Sequence, residues 1–365
     1  MYLHAFLLRA AGRKKGHALI RTAIVGASGY SGAELVGLLA GHPGVELAAI
    51  CAAGSAGERW EELYPGREHL FRGEIQPFEA AALAGLDAVF LALPHGASAG
   101  AARRLRGRVG CVLDLSGDLR LADADTYRRW YGGEHPAPEL LGEAVYGLPE
   151  LFGDSLPGAE LISCAGCYAT VSQLAAAPAL ALEGSTAVDV VVTAISGTSG
   201  AGRKAELELS FSEIFGDLRA YRVGHHQHAP EIAQGLSRHA GRQVRVTFVP
   251  HLAPIERGIA ATVVLGGETA AAGELLAAYN RAYETAPFVR VRDPAVTLPA
   301  VRHVAGTNFC DLAPVQDEAG GSVVVVGVID NLLKGAAGQA VQLLNLAFGL
   351  PETQGLLAGE AAGAA

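Results

Sequence analysis

The sequence predicts an α/β fold that is divided into two domains. At 365 residues, the chain is longer than one ordinary hydrophobic core can fill. Half of the residues are hydrophobic and 18% are charged, a composition typical of globular α/β proteins. Near the start, a β-rich run at 20–25 precedes a glycine-rich turn and then apolar residues at helical spacing. This strand–turn–helix unit is characteristic of doubly wound parallel sheets.

Charge and cysteine content narrow the class of protein. The formal net charge of −9 argues against nucleic acid or an anionic membrane as the partner, so local arginines must bind any anionic substrate. The five cysteines form no disulfide scaffold, and a reducing cytoplasm is expected. Cys164 and Cys167 form a C-x-x-C pair, which would suit a redox pair or half of a zinc site. Because no second such pair accompanies it, we expect no metal.

Both ends of the chain are expected to lie outside the fold. Residues 1–19 place an apolar run before a basic one, which reverses the order of a secretory signal. That run is too short to span a membrane, and a disordered tail is expected. Residues 351–365 are rich in Ala and Gly, and a flexible tail is expected there too.

A glycine motif follows the first strand. Gly26, Gly29 and Gly32 are spaced G-x-x-G-x-x-G, and the apolar helix follows directly. Glycines at such a turn let the backbone approach a pyrophosphate, which then lies at the helix N-terminus. We therefore predict a Rossmann dinucleotide-binding domain over 20–166. The alternative is a tight turn that binds no ligand.

The end of the second strand indicates which dinucleotide is bound. The strand at 45–51 is followed by a segment without the Asp or Glu that binds the ribose 2′-hydroxyl of NAD. The missing carboxylate leaves room for a 2′-phosphate, so NADP is predicted. Ser55 and Arg59 are the candidates for contact with that phosphate.

Two more strands, at 86–93 and 109–115, are predicted to end in loops along the same crevice. His95, Asp114 and Asp118 lie in these loops, either as caps of local structure or as binding residues. Residues 121–160 are interpreted as surface helix and loop.

Cys167 is the candidate nucleophile. Leu161 and Ile162 end a predicted buried strand, Ala165-Gly166 forms a turn, and an Ala-rich helix follows. Cys167 is therefore expected in the first helical turn, where free N–H groups and the helix dipole favour a thiolate. The alternative is that Cys167 is a small buried hydrophobic residue.

The second half, 167–330, is predicted to form the catalytic and oligomerisation domain. A buried strand at 188–195 ends in a glycine–serine loop that closes with Arg203 and Lys204. Residues 225–228 contain three histidines, which would suit either zinc or a general acid or base. Strands at 244–252 and 259–265 are predicted to pair around a turn that carries Arg257, which either binds an anion or is solvated.

The last predicted strand, 322–329, leads to Asn331 and a final helix over 331–350 that completes the nucleotide domain. A nucleotide domain combined with a reactive cysteine indicates acyl-thioester chemistry, in which a thiolate takes an acyl group and hydride reduces the thioester to an aldehyde.

Several motifs together resemble the N-acetyl-γ-glutamyl-phosphate reductase family, which reduces an acyl phosphate in arginine biosynthesis. These are GASGYSGAEL, ALPHG, LDLSGDLRL, AGCYAT, SGTSGAGR, HHQHAPEI, PHLAPIERGI and DNLLKGAAGQA. The resemblance covers residues 20–350 and implies a glyceraldehyde-phosphate-dehydrogenase-like mixed α/β catalytic domain. It further implies a cytoplasmic homo-oligomer, a dimer or tetramer, which binds NADPH, the acyl phosphate and inorganic phosphate.

The resemblance also assigns roles to residues. It implies Cys167 as nucleophile and His228 as its acid–base partner. The implied cofactor-binding residues are Gly26, Ser28, Gly29, Tyr30, Ser31, Gly32 and Asn331. The implied candidates for substrate binding are Arg120, Ser199, Arg203, His226 and Arg257.

The chain departs from the family pattern at two places. Cys164-Ala165 stands where Asn-Pro is usual, and Gln227 stands where Arg is usual between the two histidines. Two other functions remain open at this point. One is the related lysine-pathway reductase, which acts on a carrier-bound aminoadipyl phosphate, and the other is a catalytically silent NADP-binding sensor.

Overall fold

The computed structural model describes residues 19–182, 185, 187–266, 272–317 and 321–357. The expected disordered tail at 1–19 lies outside these residues, except for Leu19. Among the described residues, no helix is long and apolar enough to cross a membrane.

The first sheet consists of six parallel strands. They are β1 Ile20–Val25, β2 Val45–Cys51, β3 Ala88–Leu91, β4 Cys111–Asp114, β5 Val145–Gly147 and β6 Leu161–Cys164. Their spatial order is β2-β1-β3-β4-β6-β5. β3 and β4 are buried along their whole length, as expected for a parallel sheet that is covered on both faces. β2 is added on one side of β1 and β3 on the other side. This change of side opens a crevice at the carboxyl ends of β1 and β3.

Short helices connect these strands. They are α1 Tyr30–Ala40, α2 Trp60–Leu63, α3 Ser98–Leu105, α4 Ala124–Tyr131 and α5 Pro149–Phe152, with 3₁₀ turns at Pro138–Leu140 and Gly153–Ser155. Helix α4 has clear end signals, because Asp123 accepts a hydrogen bond from the Thr126 N–H and Gly132 ends the helix in a left-handed conformation.

The second sheet has seven strands and mixed directions. They are β7 Asp189–Ser196, β8 Arg219–Ala220, β9 Arg245–Leu252, β10 Ile259–Leu265, β11 Val289–Val291, β12 Cys310–Gln316 and β13 Val323–Ile329. Their order is β11-β12-β13-β10-β7-β9-β8. The helices of this half are α6 Cys167–Leu180, α7 Phe211–Ile214, α8 His228–Ala240 and α9 Ala272–Ala282, and 3₁₀ turns lie at Thr198–Ala201, Leu207–Leu209 and Val301–His303.

One face of the second sheet is covered and the other is open. In β7, Val190, Val192 and Ala194 lie in a core that α6, α8 and α9 share, whereas Val191 points outward and is 42% exposed. This alternation is the pattern of a half-buried sheet. The last helix, α10 Ala337–Phe348, returns to the first sheet and packs beside α1 in its core.

The structure corrects the expected pairing of the strands at 244–252 and 259–265. Both strands pair with β7, which lies between them, parallel to β9 and antiparallel to β10. The loop 253–258 therefore crosses the end of β7 instead of closing a hairpin. A short loop between two apolar runs is compatible with either arrangement, so spacing alone could not separate them.

The final helix also begins later than expected. Residues 331–336 form turns, because the Asp330 carboxylate accepts hydrogen bonds from the N–H groups of Leu332 and Leu333. An Asp side chain at this position competes with helical hydrogen bonding. Helix α10 starts only at Ala337.

Two other expectations about surface segments are corrected. The region 121–160 contains the edge strand β5, and its Tyr127 is only 3% exposed. The flexible tail expected from residue 351 does not hold for residues 351–357. There, Asn345 of α10 donates to the carbonyls of Glu352 and Gln354, and Leu356 packs against the first core. The rest of that tail, 358–365, lies outside the described residues.

Asp311 stabilises the edge of the second sheet. Its fully buried carboxylate accepts hydrogen bonds from Arg290 Nε at 2.5 Å and from Arg292 Nε at 3.1 Å, which attaches β11 to β12. Asp311→Asn should lower the free energy of unfolding by about 2 kcal/mol, because two charge-assisted hydrogen bonds are weakened. Urea unfolding followed by circular dichroism measures this change. An unchanged midpoint would contradict this role of Asp311.

Candidate active site

Cys167 begins helix α6 directly after the turn that ends β6. Gly166 is the N-cap residue in an extended conformation, and its carbonyl accepts the first helical hydrogen bond, from the Thr170 N–H at 2.7 Å. Cys167 is half-buried, whereas the rest of α6 is buried. This places the thiol at the helix N-terminus, as the sequence predicts.

The surroundings of Cys167 act in opposite directions on the ionisation of its thiol. Burial raises the pKa of Cys167 to about 11, although the Arg120 guanidinium and the Tyr168 N–H act in the opposite direction. The N–H groups of the helix terminus thus favour the thiolate, as the sequence predicts, but burial outweighs them. Removal from water destabilises the Cys167 thiolate more than Arg120 and the Tyr168 N–H stabilise it.

Arg120 is the cation of the site, and its orientation is fixed. Its Nε donates to the Cys164 carbonyl at 2.9 Å, and its Nη2 donates to the Leu115 carbonyl at 2.7 Å. Burial opposes the charge, but the Glu231 carboxylate leaves the pKa of Arg120 above its ordinary value. Arg120 therefore supplies a permanent positive charge beside the nucleophile.

His228 adjoins both Arg120 and the nucleophile turn. Its Nε2 lies 3.3 Å from Arg120 Nη1, and a Cβ atom on Gly166 would overlap it. A guanidinium can only donate, so Nε2 is the acceptor and the ring proton is on Nδ1. Burial, and then Arg120, lower the pKa of His228 to about 3. The imidazole is therefore neutral near pH 7 and presents an unprotonated nitrogen at Gly166, the residue before Cys167.

Glu231 is a site residue that sequence reasoning missed. Its Oε1 accepts hydrogen bonds from the Gly166 N–H and the Tyr146 hydroxyl, both at 2.8 Å. Its Oε2 lies 3.6 Å from Arg120 Nη1 and 3.9 Å from His228 Nε2. The available signal was its position three residues after His228, which places both on one face of α8.

Of the three clustered histidines, His226 and His228 stay together, with ring centres 5.0 Å apart, and His225 lies apart from them. His226 is buried, and its Nδ1 accepts the His228 backbone N–H at 3.1 Å. Burial, and then His228, lower the pKa of His226 to about 2. His225 is exposed and stacks on Trp130. Within the described ranges, no group of three His, Cys, Asp or Glu side chains could hold a metal ion.

The C-x-x-C pair also separates. Cys164 lies in the core of the first sheet, and Cys167 packs against the core of the second. All five cysteines are free thiols. Burial raises the pKa of Cys164 well above its usual range.

Asn331 holds two loops together next to the nucleophile. Its side-chain oxygen accepts the Gly258 N–H at 2.6 Å, and its amide donates to the Ser199 hydroxyl at 3.0 Å. Gly335, four residues on, packs on the nucleophile, since a Cβ atom there would lie 2.7 Å from Cys167 Cβ. Ser199 and Asn331 therefore shape the wall of the site.

The glycine motif lies at the carboxyl end of β1, in the crevice of the first sheet. A Cβ atom on Gly32 would overlap the Gly26 carbonyl and come within 2.7 Å of Ala27 Cα, so close packing requires glycine there. At Gly29, by contrast, the nearest atom would be the Gly26 carbonyl oxygen at 3.6 Å, an ordinary contact. Protein packing therefore does not require glycine at position 29, whereas close approach of a pyrophosphate to the α1 N-terminus would. Ser28, Tyr30 and Ser31 lie in the same turn.

Arg203 and Arg257 lie away from Cys167, on the side of the nucleotide crevice. Arg203 Nη1 donates to the Ser28 carbonyl at 3.1 Å, and its guanidinium lies 5.0 Å from the Tyr64 ring centre. A cleft of about 460 Å³ opens there, lined by Tyr30, Tyr64, Arg67, Ser199, Arg203 and Lys204 among others. Arg257 pairs with Glu34 at 3.1 Å, and its Nε lies 3.6 Å from Asp330.

The remaining candidates lie in the loops of the first sheet. Asp118 accepts the N–H groups of Gly96 and Ala99, and Asp114 accepts the Ser98 and Ser116 hydroxyls, so both have capping roles. His95 is exposed. Arg59 binds Glu61.

Similar proteins identify the family to which this site belongs. The chain matches the family model "Semialdehyde dehydrogenase, NAD binding domain" over residues 21–159, and "Semialdehyde dehydrogenase, dimerisation domain" over residues 167–331. N-acetyl-gamma-glutamyl-phosphate reductase from Desulforudis audaxviator is 45% identical over 93% of this chain and 98% of its own length. The protein of that name from Mycobacterium avium is 46% identical, over 93% and 97% respectively. The chain belongs to the N-acetyl-γ-glutamyl-phosphate reductase family.

Solved structures support the fold. A probable aspartate-semialdehyde dehydrogenase from Pseudomonas aeruginosa superposes with a TM-score of 0.67 at 22% identity, over 90% of this chain and 98% of that chain. Aspartate semialdehyde dehydrogenase from Candida albicans, solved with NADP, gives 0.64 at 14% identity, over 90% and 98%. The α/β fold class and the family resemblance expected from the sequence are both confirmed. The first domain is a nucleotide-cofactor-binding domain.

The protonation state of this reductase-family site predicts a pH dependence. Iodoacetamide should alkylate Cys167 about tenfold faster per pH unit from about pH 7 to about pH 9, because a thiol with a pKa of about 11 ionises in proportion to hydroxide. The other four cysteines are buried, so the reaction reports on Cys167. Cys167→Ser provides the background rate. A plateau at neutral pH would instead indicate a thiolate–imidazolium pair with His228.

The two glycines predict opposite outcomes. Gly29→Ala should weaken dinucleotide binding at least about tenfold and barely change the unfolding midpoint, since the added methyl meets no protein atom closely. Gly32→Ala should lower the free energy of unfolding by about 1–3 kcal/mol, because backbone must move to admit the methyl group. Fluorescence titration with the reduced dinucleotide and urea unfolding measure the two effects. Unchanged binding by Gly29→Ala would favour a turn that binds no ligand.

Proposed function

We propose that this chain catalyses the NADPH-dependent reduction of N-acetyl-γ-glutamyl phosphate to N-acetylglutamate 5-semialdehyde and phosphate, in arginine biosynthesis. The observation that carries the proposal is that His228 Nε2 packs against Gly166, the residue directly before Cys167 at the N-terminus of α6. A simple alcohol dehydrogenation needs no cysteine nucleophile, whereas reduction of an acyl phosphate does.

The first step is the transfer of the Cys167 proton. His228 Nε2 takes this proton, and the thiolate attacks the acyl-phosphate carbonyl to form a carbon–sulfur bond. The carbon–oxygen bond to phosphate breaks, and phosphate leaves with the bonding electron pair. Cys167 is then a thioester, and His228 carries the proton.

The chain stabilises the charges that develop in this step. The first-turn N–H groups of α6 point toward the carbonyl oxygen of a substrate on Cys167, where negative charge accumulates. The Gly166 N–H is already bonded to Glu231, so it contributes by fixing the turn. Arg120 stabilises the thiolate and the leaving phosphate by its positive charge.

The second step brings the acyl group to the aldehyde level. When bound at the glycine turn of α1, NADPH would supply the hydride that the thioester carbon accepts. The tetrahedral adduct then expels the Cys167 sulfur, which recovers its proton from His228. His228 thus acts first as base and then as acid, which suits a neutral imidazole at rest.

We propose NADP as the dinucleotide and the 460 Å³ cleft as part of its site. The segment 52–57, after β2, contains no Asp or Glu that would bind a ribose 2′-hydroxyl. Arg67, Arg203 and Lys204 line the cleft and would attract a phosphate, with Ser55 as a further candidate. This changes the proposed role of Arg203 from substrate binding to cofactor binding.

We further propose a homo-oligomer, a dimer or tetramer, that associates through the open face of the second sheet. Val191 exposes 42% of its surface there, in the segment that matches a dimerisation-domain family. We divide the chain into a nucleotide domain at 20–166, completed by α10, and a catalytic domain at 167–330. Five free thiols support a cytoplasmic location.

The alternatives are less well supported. The relatives compared above carry the name of the N-acetyl-γ-glutamyl-phosphate reductase, not that of a lysine-pathway enzyme. A silent NADP-binding sensor would not need the Cys167–His228 arrangement.

Purified protein should reduce NADP⁺ with N-acetylglutamate 5-semialdehyde only when phosphate is present, because phosphate must cleave the thioester in the reverse direction. The aminoadipate semialdehyde, one methylene longer, should react at least about tenfold more slowly. His228→Gln should lower kcat by about 100-fold or more. Cys167→Ser is the control without a thiol.

Each contrary result has a distinct meaning. Activity confined to the longer, carrier-attached aldehyde would move the chain to the lysine pathway. Tight NADP binding without activity on either aldehyde would overturn the enzyme assignment.

A further inference from the structure

A buried ion pair lies outside the catalytic groups described above. Lys334 is 0% exposed, and its Nζ donates to Glu150 Oε1 at 2.6 Å and to Gln342 Oε1 at 2.8 Å. The Glu150 side chain is 1% exposed. The Phe288 ring centre lies 5.9 Å from the same ammonium group. No step of the proposed reaction uses any of these side chains.

Lys334 belongs to the segment 330–339, which forms the rear wall of the nucleophile turn. Gly335 packs on Cys167, since a Cβ atom on Gly335 would lie 2.7 Å from Cys167 Cβ. Gln339 Nε2 donates to the Thr170 hydroxyl at 3.1 Å and to the Ala165 carbonyl at 3.3 Å. The segment therefore contacts the chain on both sides of Cys167.

The ion pair fixes this segment from behind. Glu150 comes from α5, beside the first sheet, whereas Lys334 follows β13 of the second sheet. Gln342 bonds both partners, since its Nε2 donates to Glu150 Oε1 at 3.0 Å. A buried ammonium group is strongly destabilised when it loses its hydrogen-bond acceptors. Because Lys334 Nζ must stay within reach of Glu150 and Gln342, the ion pair holds segment 330–339 in one position.

We propose that the Lys334–Glu150 ion pair positions segment 330–339 against Cys167, which makes both residues positioning residues for the reaction. A buried ion pair seldom stabilises a fold more than well-packed apolar side chains of similar volume. Stability alone therefore does not account for the two charges. The kinetic part of this proposal rests on the proposed function, whereas its effect on Cys167 reactivity does not.

The test separates positioning from stability with an apolar replacement of the pair. Lys334→Met leaves Glu150 as an unpaired buried carboxylate, whereas Lys334→Met combined with Glu150→Leu removes both charges at similar volume. Asp311→Asn is the control, because it weakens another ion pair with a fully buried carboxylate, at β12 on the edge of the second sheet. The unfolding midpoint, the iodoacetamide rate of Cys167, kcat and both KM values are measured for each variant.

Lys334→Met should lower both the unfolding midpoint and kcat. The double variant should regain the wild-type unfolding midpoint. Its kcat should nevertheless stay about 10–100-fold below that of the wild type, and its alkylation rate should differ from the wild-type rate by at least about threefold. A displacement of about 1 Å at a reacting group has effects of this size. KM for NADPH should stay within about twofold, and Asp311→Asn should lower the midpoint without changing kcat.

Recovery of kcat and of the alkylation rate together with the midpoint in the double variant would overturn the proposal, and so would a wild-type kcat in Lys334→Met. If Lys334→Met does not fold, the double variant decides alone. If the wild-type protein shows no reductase activity, the proposed function fails, and the alkylation rates still decide whether the pair positions Cys167.

Discussion

The site depends on one buried ion pair, between Arg120 and Glu231. Arg120 comes from the loop after β4 of the first sheet, and Glu231 comes from α8 of the second half. Glu231 also binds the N–H of Gly166, the residue before the nucleophile. Removal of either charge would leave the other buried and unpaired, which typically costs about 3–5 kcal/mol. The pair therefore joins the two halves of the chain at the point where Cys167 emerges.

This arrangement determines the resting protonation states. Arg120 holds a proton-free Nε2 of His228 toward the site and lowers the pKa of that imidazole. The same cation lowers the pKa of Cys167 less than burial raises it. The resting pair is therefore a thiol beside a neutral base. Such a pair avoids a persistent thiolate, which is the form most open to oxidation. In the proposed reaction, the thiolate forms only when His228 takes the Cys167 proton for attack on a substrate carbonyl.

Local sequence was sufficient for the parts of the fold that local chemistry decides. The boundaries of β1 and β2 and the start of α6 follow directly from runs of β-branched residues, small-residue turns and Ala-rich helix. The position of Cys167 at the start of a helix is likewise decided by local sequence. The motif resemblance then supplied His228, whose partner lies far away in sequence.

Long-range contacts were not predictable in the same way. Nothing local indicates that β7 lies between β9 and β10, since both pairings bury the same alternate side chains. Nothing in the local sequence distinguishes Glu231 and Lys334 from ordinary surface charges. Only the fold shows that each is buried against a partner of opposite charge. The family resemblance implied a substrate-binding role for Arg203, whereas only the fold shows that its side chain reaches the Ser28 carbonyl of the first domain.

The distribution of cations follows from the overall acidity of the chain. A protein with a net charge of −9 does not attract an acyl phosphate by its global field, so local positive charge is required. Yet Arg120, Arg257 and Lys334 are each paired with a carboxylate, which offsets much of their field. Arg203 instead contacts a carbonyl and an aromatic face, both neutral groups. Its field, together with the N-termini of α1 and α6, therefore remains available to anions.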